Sequence, residues 1–296
     1  MIITNRLNLS EAWVRAARDS YDYVGWRSVT ELIGPPRISE LKRRHDAEIE
    51  VDVIDLISSI FGEAMHEILR KAGENEKGVI TEQRLVFEVE GKEVSMKFDR
   101  YQEEDEHLKD YKSEKISGYM HDVKHEWKCQ TNSYAVGIRK ILDRPVSRIT
   151  IETLLKDWSL SQLVMSKKKG DFYPESPIVK IPINVWDEEE AERYLAERVQ
   201  LHARCEQLHD NDLPFCTEDD RWVSENLWKV YKKPNLERAV RGGAKFTNPD
   251  EAEAFAEHKG PDHVVIHRPS ESTRCLHYCP MRKFCNQYNT EICPPF

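Results

Sequence analysis

"TEQRLVFEVEGKEVSMKFDRYQEEDEHLKDYKSEK" (residues 81–115) holds two patterns at once. Apolar and polar residues alternate on either side of Glu90-Gly91, the mark of a hairpin. In its second arm Val94, Met96 and Phe98 share one strand face, while Ser95, Lys97 and Asp99 share the other. Acidic "EEDEHL" (103–108) supplies a turn, and "LKDYKS" (108–113) returns as the next strand. On that strand Asp110 and Lys112 point the same way, because side-chain direction repeats every two residues. Composition alone reads "LKDYKSEK" (108–115) as a wet surface strand. Paired with the strand that carries Asp99, the same residues bring two carboxylates beside one ammonium. That trio suits phosphodiester hydrolysis: carboxylate oxygens hold Mg²⁺ or Mn²⁺, the metal polarises the phosphoryl group and activates water, and lysine positions the water or offsets developing charge. An isolated Asp-x-Lys is common on surface strands, so the flanking segments decide.

Upstream, "DVIDLISSIFGEAMHEILRKAG" (52–73) repeats Ile54, Ile57, Ile60, Phe61, Met65 and Leu69 at helical spacing and ends at Gly73, a C-cap candidate. Gly62 and His66 lie four apart on this helix, where Gly allows close backbone approach and His offers an imidazole ligand. The plainer reading is a surface His beside Glu63 and Glu67. Downstream, "VKHEWKCQTNSYAVGIRKIL" (123–142) resumes a helical period, with Gln130 and Tyr134 four apart, and residues 146–159 form a further strand. Elsewhere, 33–45 is a Pro-Pro break followed by a charged helix, and 187–208 is an amphipathic helix with an acidic first turn. The order helix–strand–strand–strand–helix–strand implies an α/β fold whose sheet begins antiparallel.

These motifs resemble the RecB-like branch of the PD-(D/E)XK nuclease superfamily, which includes Cas4-like proteins and phage-encoded exonucleases. The family pattern runs Gly-x-x-x-His, Asp, Asp/Glu-x-Lys and Gln-x-x-x-Tyr. It is matched by Gly62–His66, Asp99 in "KFDRY", Asp110 and Lys112 in "DYK", and Gln130–Tyr134 in "QTNSY", over roughly residues 55–160. The resemblance implies metal ligation by His66, Asp99 and Asp110, catalysis by Lys112, and organisation of the site by Gln130 and Tyr134. The implied fold is a restriction-endonuclease-like α/β core, a mixed central sheet flanked by helices, with a small C-terminal α+β module and a cysteine-rich tail. Two details depart. Met96 stands where relatives often carry glycine before the first Asp, and Asp110 is shorter than the Glu some members use. Glu82 either supports the site from the preceding strand or, the preferred reading, is a solvated strand residue.

The 296-residue chain carries a formal charge of −9, with 33% charged and 39% hydrophobic residues. This opposes a whole-surface polyanion binder, but a local basic channel or bound divalent cations still admit nucleic acid. Neither a signal-peptide pattern in the first 30 residues nor an 18-residue apolar run is present, so no membrane contact and a cytoplasmic location are expected. "LKRRH" (41–45) and "SKKKGD" (166–171) read equally well as phosphate contacts or solvated faces. Residues 224–270 read as strand, short helix and strand. The expected organisation is an extension over 1–50, the core over 51–215 and the small module over 216–296.

Of seven cysteines, Cys275, Cys279, Cys285 and Cys293 fall in the tail. Their clustering favours metal ligation over core packing. RecB-like exonucleases often carry an iron–sulfur site with one upstream Cys and a C-terminal trio. Here the trio has one extra residue in its first gap, and no cysteine precedes the core. Cys216 with Cys275, Cys279 and Cys285 is the preferred set, for [4Fe–4S] ahead of Zn²⁺, and Cys293 is the competing fourth ligand. The functional expectation is a metal-dependent DNA exonuclease in end processing, recombination or replication, with DNA and, by the resemblance, a recombination or single-strand-annealing protein as partners. A structure-specific or nicking endonuclease and a non-catalytic DNA-binding scaffold are the alternatives. Oligomeric state is not legible.

Overall fold

The computed structural model describes residues 1–18, 24–243 and 245–294. The chain forms two compact units, Met1–His209 and Asp210–Phe296. In the first, β1 (Ile2–Thr4), α1 (Glu11–Arg18), β2 (Arg27–Ser28), α2 (Val29–Ile33), α3 (Pro36–Arg44) and β3 (Glu50–Asp52) precede the long helix α4 (Ile57–Gly73). Then come β4 (Val79–Thr81), β5 (Arg84–Val89), β6 (Lys92–Lys97), β7 (Arg100–Gln102), β8 (His107–Glu114), the short α5 (Ile116–Tyr119), α6 (His125–Gly137) and β9 (Arg148–Leu155). Helix α7 (Leu160–Lys169), β10 (Ile178–Ile183) and α8 (Glu188–Cys205) complete it.

The central sheet has the order β10-β9-β8-β7-β4, with β8 and β9 parallel and the other pairs antiparallel. A second sheet has the order β2-β6-β5. The β5–β6 hairpin turns at Glu90 and Gly91, whose φ values of 50° and 70° match the twist of the flanking strands. After Lys97 the chain leaves the smaller sheet, passes Asp99 and enters the larger one as β7. Asp99 therefore stands at the joint between two sheets.

One core joins the sheets to α2, α6 and α8: Val29 and Leu32 pack in it with Phe87, Met96, Phe98, Leu108, Ile151 and Leu195. Residues 1–50 thus contribute to the same unit as the strands. Helix α6 is enclosed from Cys129 to Gly137, and most of its buried polar side chains find partners, while Ser133 Oγ has none among the described residues. Asn132 donates to Lys128 O and Asn184 O and accepts from Trp186 N, while Thr131 donates to Trp127 O.

Three local expectations change. Gly73 ends α4 without capping it; a Cβ there would lie 3.0 Å from Thr81 Cγ2 and 3.1 Å from Arg100 Nη1, so the glycine serves close packing. Gly62 faces open space and permits no close approach. In "LKRRH" the charge of Arg43 and Arg44 is spent on Glu40, which is fully buried, at 2.9 and 3.2 Å. Arg27 pairs with the same carboxylate. A buried glutamate requires such compensation, which leaves those arginines little charge for phosphate. Among the described residues, no helix is long and apolar enough to cross a membrane.

The second unit contains a short helix, α9 (Glu218–Arg221), then β11 (Leu227–Lys232), α10 (Pro249–Lys259) and β12 (His263–Arg268). The two strands pair antiparallel, and Val230 packs on Ala252 and Ala256 of α10.

Two stability predictions follow from the first unit's packing. A Cβ at Gly137 would press on the Met96 sulfur and come within 2.8 Å of Phe87 Cε1. Overpacking costs about 1–3 kcal/mol, against about 1 kcal/mol that Ala gains over Gly in a helix. Gly137→Ala should therefore lower the thermal midpoint despite its better helix propensity. His202 is fully buried, with Nε2 3.3 Å from Gly34 O and no hydrogen-bond partner at Nδ1. Burial, then Arg198 and Arg27, push its pKa down to about 4. The unfolded imidazole binds a proton near pH 6.5 and the folded one does not, so stability is full above that pH. It falls toward pH 4, by up to about 3 kcal/mol for this group. Urea unfolding across pH 4–7 should show a shallower acid loss in His202→Gln than in the parent.

Candidate active site

Strand β8 sets the geometry. Asp110 is 1% exposed, and its Oδ2 lies 2.7 Å from Lys112 Nζ. The contact is an ion pair without hydrogen-bond alignment, so Oδ2 accepts no hydrogen bond among the described residues. Lys112 Nζ donates to Gln130 Oε1 at 2.9 Å. The Gln130 amide nitrogen donates to Tyr134 Oη at 2.9 Å and to Thr30 Oγ1 at 3.1 Å. Asp110, Lys112, Gln130 and Tyr134 thus form one buried polar chain between β8 and α6, anchored to α2 through Thr30.

Asp99 reaches the same strand from the sheet joint: Tyr111 N donates to its Oδ2 at 2.5 Å. Its Oδ1 lies 3.1 Å from His66 Nδ1, and Glu82 Oε1 is 3.1 Å from the same nitrogen. The ligand atoms of His66, Glu82 and Asp99 all lie within 4.8 Å of one another. Glu82 departs from the preferred reading of a solvated residue. Its side chain is 4% exposed and also pairs with Lys97. A left-handed backbone, φ 49°, turns it inward between β4 and β5, where its N–H donates to Asp99 O. Neither Glu82 nor Thr30 has a periodic signal in the sequence; each reaches the site by a fold across the chain.

The electrostatics follow from burial. It pushes the Asp110 carboxyl up, against the pull of Lys112. Burial also works against a charged Lys112, yet Asp110, then Tyr134 and Asp99, hold its pKa above the ordinary value. Tyr134 is raised by burial and by Asp110. For His66, burial opposes the cation, but hydrogen bonds to Asp99 and Glu82 raise the pKa to about 10. A divalent cation on this nitrogen would replace the proton, so its binding would weaken as pH falls.

The donor set fits such a cation. Carboxylate oxygens suit Mg²⁺ and Mn²⁺, and an imidazole adds affinity for Mn²⁺; of the expected ligands His66 and Asp99 come together, joined by Glu82, while Asp110 stands outside that group. Beside Tyr134, a cleft of about 380 Å³ is lined by Trp26, Arg27, Thr30, Lys42, Arg84 and Lys97, among others.

In the second unit, Cys216 and Cys279 are buried, Cys275 and Cys285 half-buried and Cys293 exposed. Gln287 clips Cys216 to the tail: its Oε1 accepts from Cys216 N at 2.8 Å, and its Nε2 donates to Cys216 O at 3.0 Å. Burial, Asp220, and then Cys285, Cys279 and Cys275 push the Cys216 thiol up to about 12, so these four thiols are electrostatic neighbours. Burial, then Cys279 and Cys285, raise Cys275, and burial, with a smaller push from Cys285, raises Cys279. Cys216 is thus a neighbour of the trio, and Cys293 is the exposed member of the tail cysteines. Among the described residues, only His66, Glu82 and Asp99 form a group of three or more ligands within 4.8 Å.

No family model and no curated protein matches the chain. A solved structure, that of SSO0001, aligns with a TM-score of 0.43 at 15% identity, covering 64% of this chain and 84% of that one. Likeness at that level assigns neither fold nor chemistry here.

The cysteine geometry makes a specific prediction. Protein purified without oxygen should lose its bound metal in Cys216→Ser as fully as in Cys279→Ser, and keep it in Cys293→Ser. Metal analysis and visible absorbance read the outcome; loss confined to Cys293→Ser would reverse the ligand assignment.

Proposed function

We propose that the protein is a Mg²⁺- or Mn²⁺-dependent DNA exonuclease with a RecB-like PD-(D/E)XK core and a [4Fe–4S] site at Cys216, Cys275, Cys279 and Cys285. One observation carries the reading: the buried chain Asp110–Lys112–Gln130–Tyr134 lies beside His66, Glu82 and Asp99, so the motif residues meet in space as they follow in sequence. The preference for ends rests on the resemblance of that motif order to phage-encoded exonucleases.

His66, Glu82, Asp99 and Asp110 would hold the active-site cation. When bound, it supplies Lewis-acid polarisation of a phosphoryl oxygen and lowers the pKa of water. The chain's own residues do the rest. Lys112, held in its charged form by Asp110, would orient water or a phosphoryl oxygen by donation and offset negative charge. Asp110 and Gln130 fix its ammonium from two sides. Tyr134 and Thr30 hold the Gln130 amide so that its oxygen, not its nitrogen, faces the lysine. Tyr134 and Gln130 are positioning residues. Tyr111 N restrains Asp99, which keeps one of its oxygens toward His66.

The chain should degrade linear DNA with Mg²⁺ or Mn²⁺ and lose activity with EDTA or Asp110→Ala. Lys112→Ala should slow the chemical step by roughly 10²–10³-fold, as expected for removing one preorganised donor. Cleavage that persists in purified Asp110→Ala protein would sink the mechanism. Equal cleavage of covalently closed circular DNA would make the enzyme an endonuclease, and binding without cleavage under both metals would leave the scaffold reading.

A further inference from the structure

From Leu227 to Lys245 the sequence carries Lys229, Lys232, Lys233, Arg238, Arg241 and Lys245 against one acid, Glu237, in a chain whose formal charge is −9. The fold gathers these cations. One edge of β11 pairs with β12; along its other edge the returning loop bonds back. Trp228 N donates to Phe246 O at 2.8 Å, Val230 N to Gly243 O at 2.6 Å, and Val240 N to Val230 O at 2.9 Å. The cations, distributed over 17 positions, thereby flank this margin of the second unit, with Lys229 and Lys232 on opposite faces of β11. All are exposed but Lys229, which is half-buried.

Several other cations are neutralised in place. In the first unit Arg70 pairs with Glu67, Arg100 with Glu76, Lys140 with Glu192 and Arg144 with Glu103. Among the described residues, none of the six cations on the β11 margin has an ion pair or a side-chain hydrogen bond. An uncompensated run of like charge repels itself, and an extended polyanion relieves that repulsion while releasing its own counterions. His267, exposed on β12, stacks on Trp228 with ring centroids 4.7 Å apart and leaves its outer ring face to solvent. A base can stack on such a face, which favours nucleic acid over an acidic peptide.

We propose that the β11 margin of the second unit binds the sugar–phosphate backbone of single-stranded nucleic acid, without sequence preference and independently of cleavage. It goes beyond the nuclease reading and does not require it.

The test is fluorescence anisotropy of the full chain with a labelled oligo-dT strand in EDTA, over a salt series. The variant carries Lys229→Gln, Lys232→Gln, Lys233→Gln and Arg241→Gln together. It should bind at least tenfold more weakly at low salt. The slope of log K against log salt should shrink by about 0.7 for each lost phosphate contact, up to about 3 for four. A companion variant with Lys229→Arg, Lys232→Arg and Lys233→Arg should bind like the parent, which separates charge from misfolding. The measurement is made in EDTA and reads binding alone, so a failed nuclease reading leaves this result intact. Unchanged affinity and slope in the glutamine variant would overturn the proposal. So would failure of the arginine variant to restore binding, or equal competition by polyglutamate of matched charge, which would make the margin an acidic-protein site.

Discussion

A carboxylate 1% exposed cannot hold a charge unless something within reach answers it, and around Asp110 that requirement organises the surrounding elements. Lys112 answers from the same strand, Gln130 answers Lys112 from α6, and Tyr134 and Thr30 answer Gln130. Each step brings a partner to the polar group before it, and together they bring β8, α6 and α2 to one point. The enclosure of α6 from Cys129 to Gly137 belongs to the same solution. A helix carrying that chain must sit against the sheet, and the absence of a side chain at Gly137 lets it come close to Met96 and Phe87.

The second convergence comes from the joint between the sheets. Because the chain changes sheet at Asp99, that carboxylate lies off the regular ladder, with one oxygen on Tyr111 N and the other toward His66. Glu82 enters from the opposite side through a left-handed backbone, an uncommon conformation for a residue with a side chain. Its carboxylate is shared between His66 and Lys97. The unit thus keeps its candidate ligands on separate elements, α4, the β4–β5 connection, the sheet joint and β8, each restrained by its own hydrogen bonds. Such restraint fixes these groups relative to one another.

Much of this was legible in local pattern. Alternation around Glu90-Gly91 implied the hairpin, and Val94, Met96 and Phe98 are buried as their shared face required. The helical periods over 52–73 and 123–142 placed His66, Gln130 and Tyr134 on helices. The readings that failed concerned environment. Gly62 was expected to allow a close approach and meets open space; Gly73 was expected to cap and instead admits Thr81 and Arg100. "LKRRH" looked like a basic patch because its counter-charge, Glu40, is brought to it by packing that also recruits Arg27.

Sequence by itself determined the elements and the order of the chemistry-bearing residues, because strand and helix periods are local consequences of backbone geometry. It also determined that His66, Asp99, Asp110, Lys112, Gln130 and Tyr134 stand on successive elements in the order the nuclease pattern requires. Tertiary structure alone decided that Glu82 turns inward, that Thr30 holds Gln130 from 100 residues away, and that Gln287 brings Cys216 to the tail cysteines. These contacts join positions far apart in the chain. Their energy arises only when burial removes water from both partners, and no local period records that event.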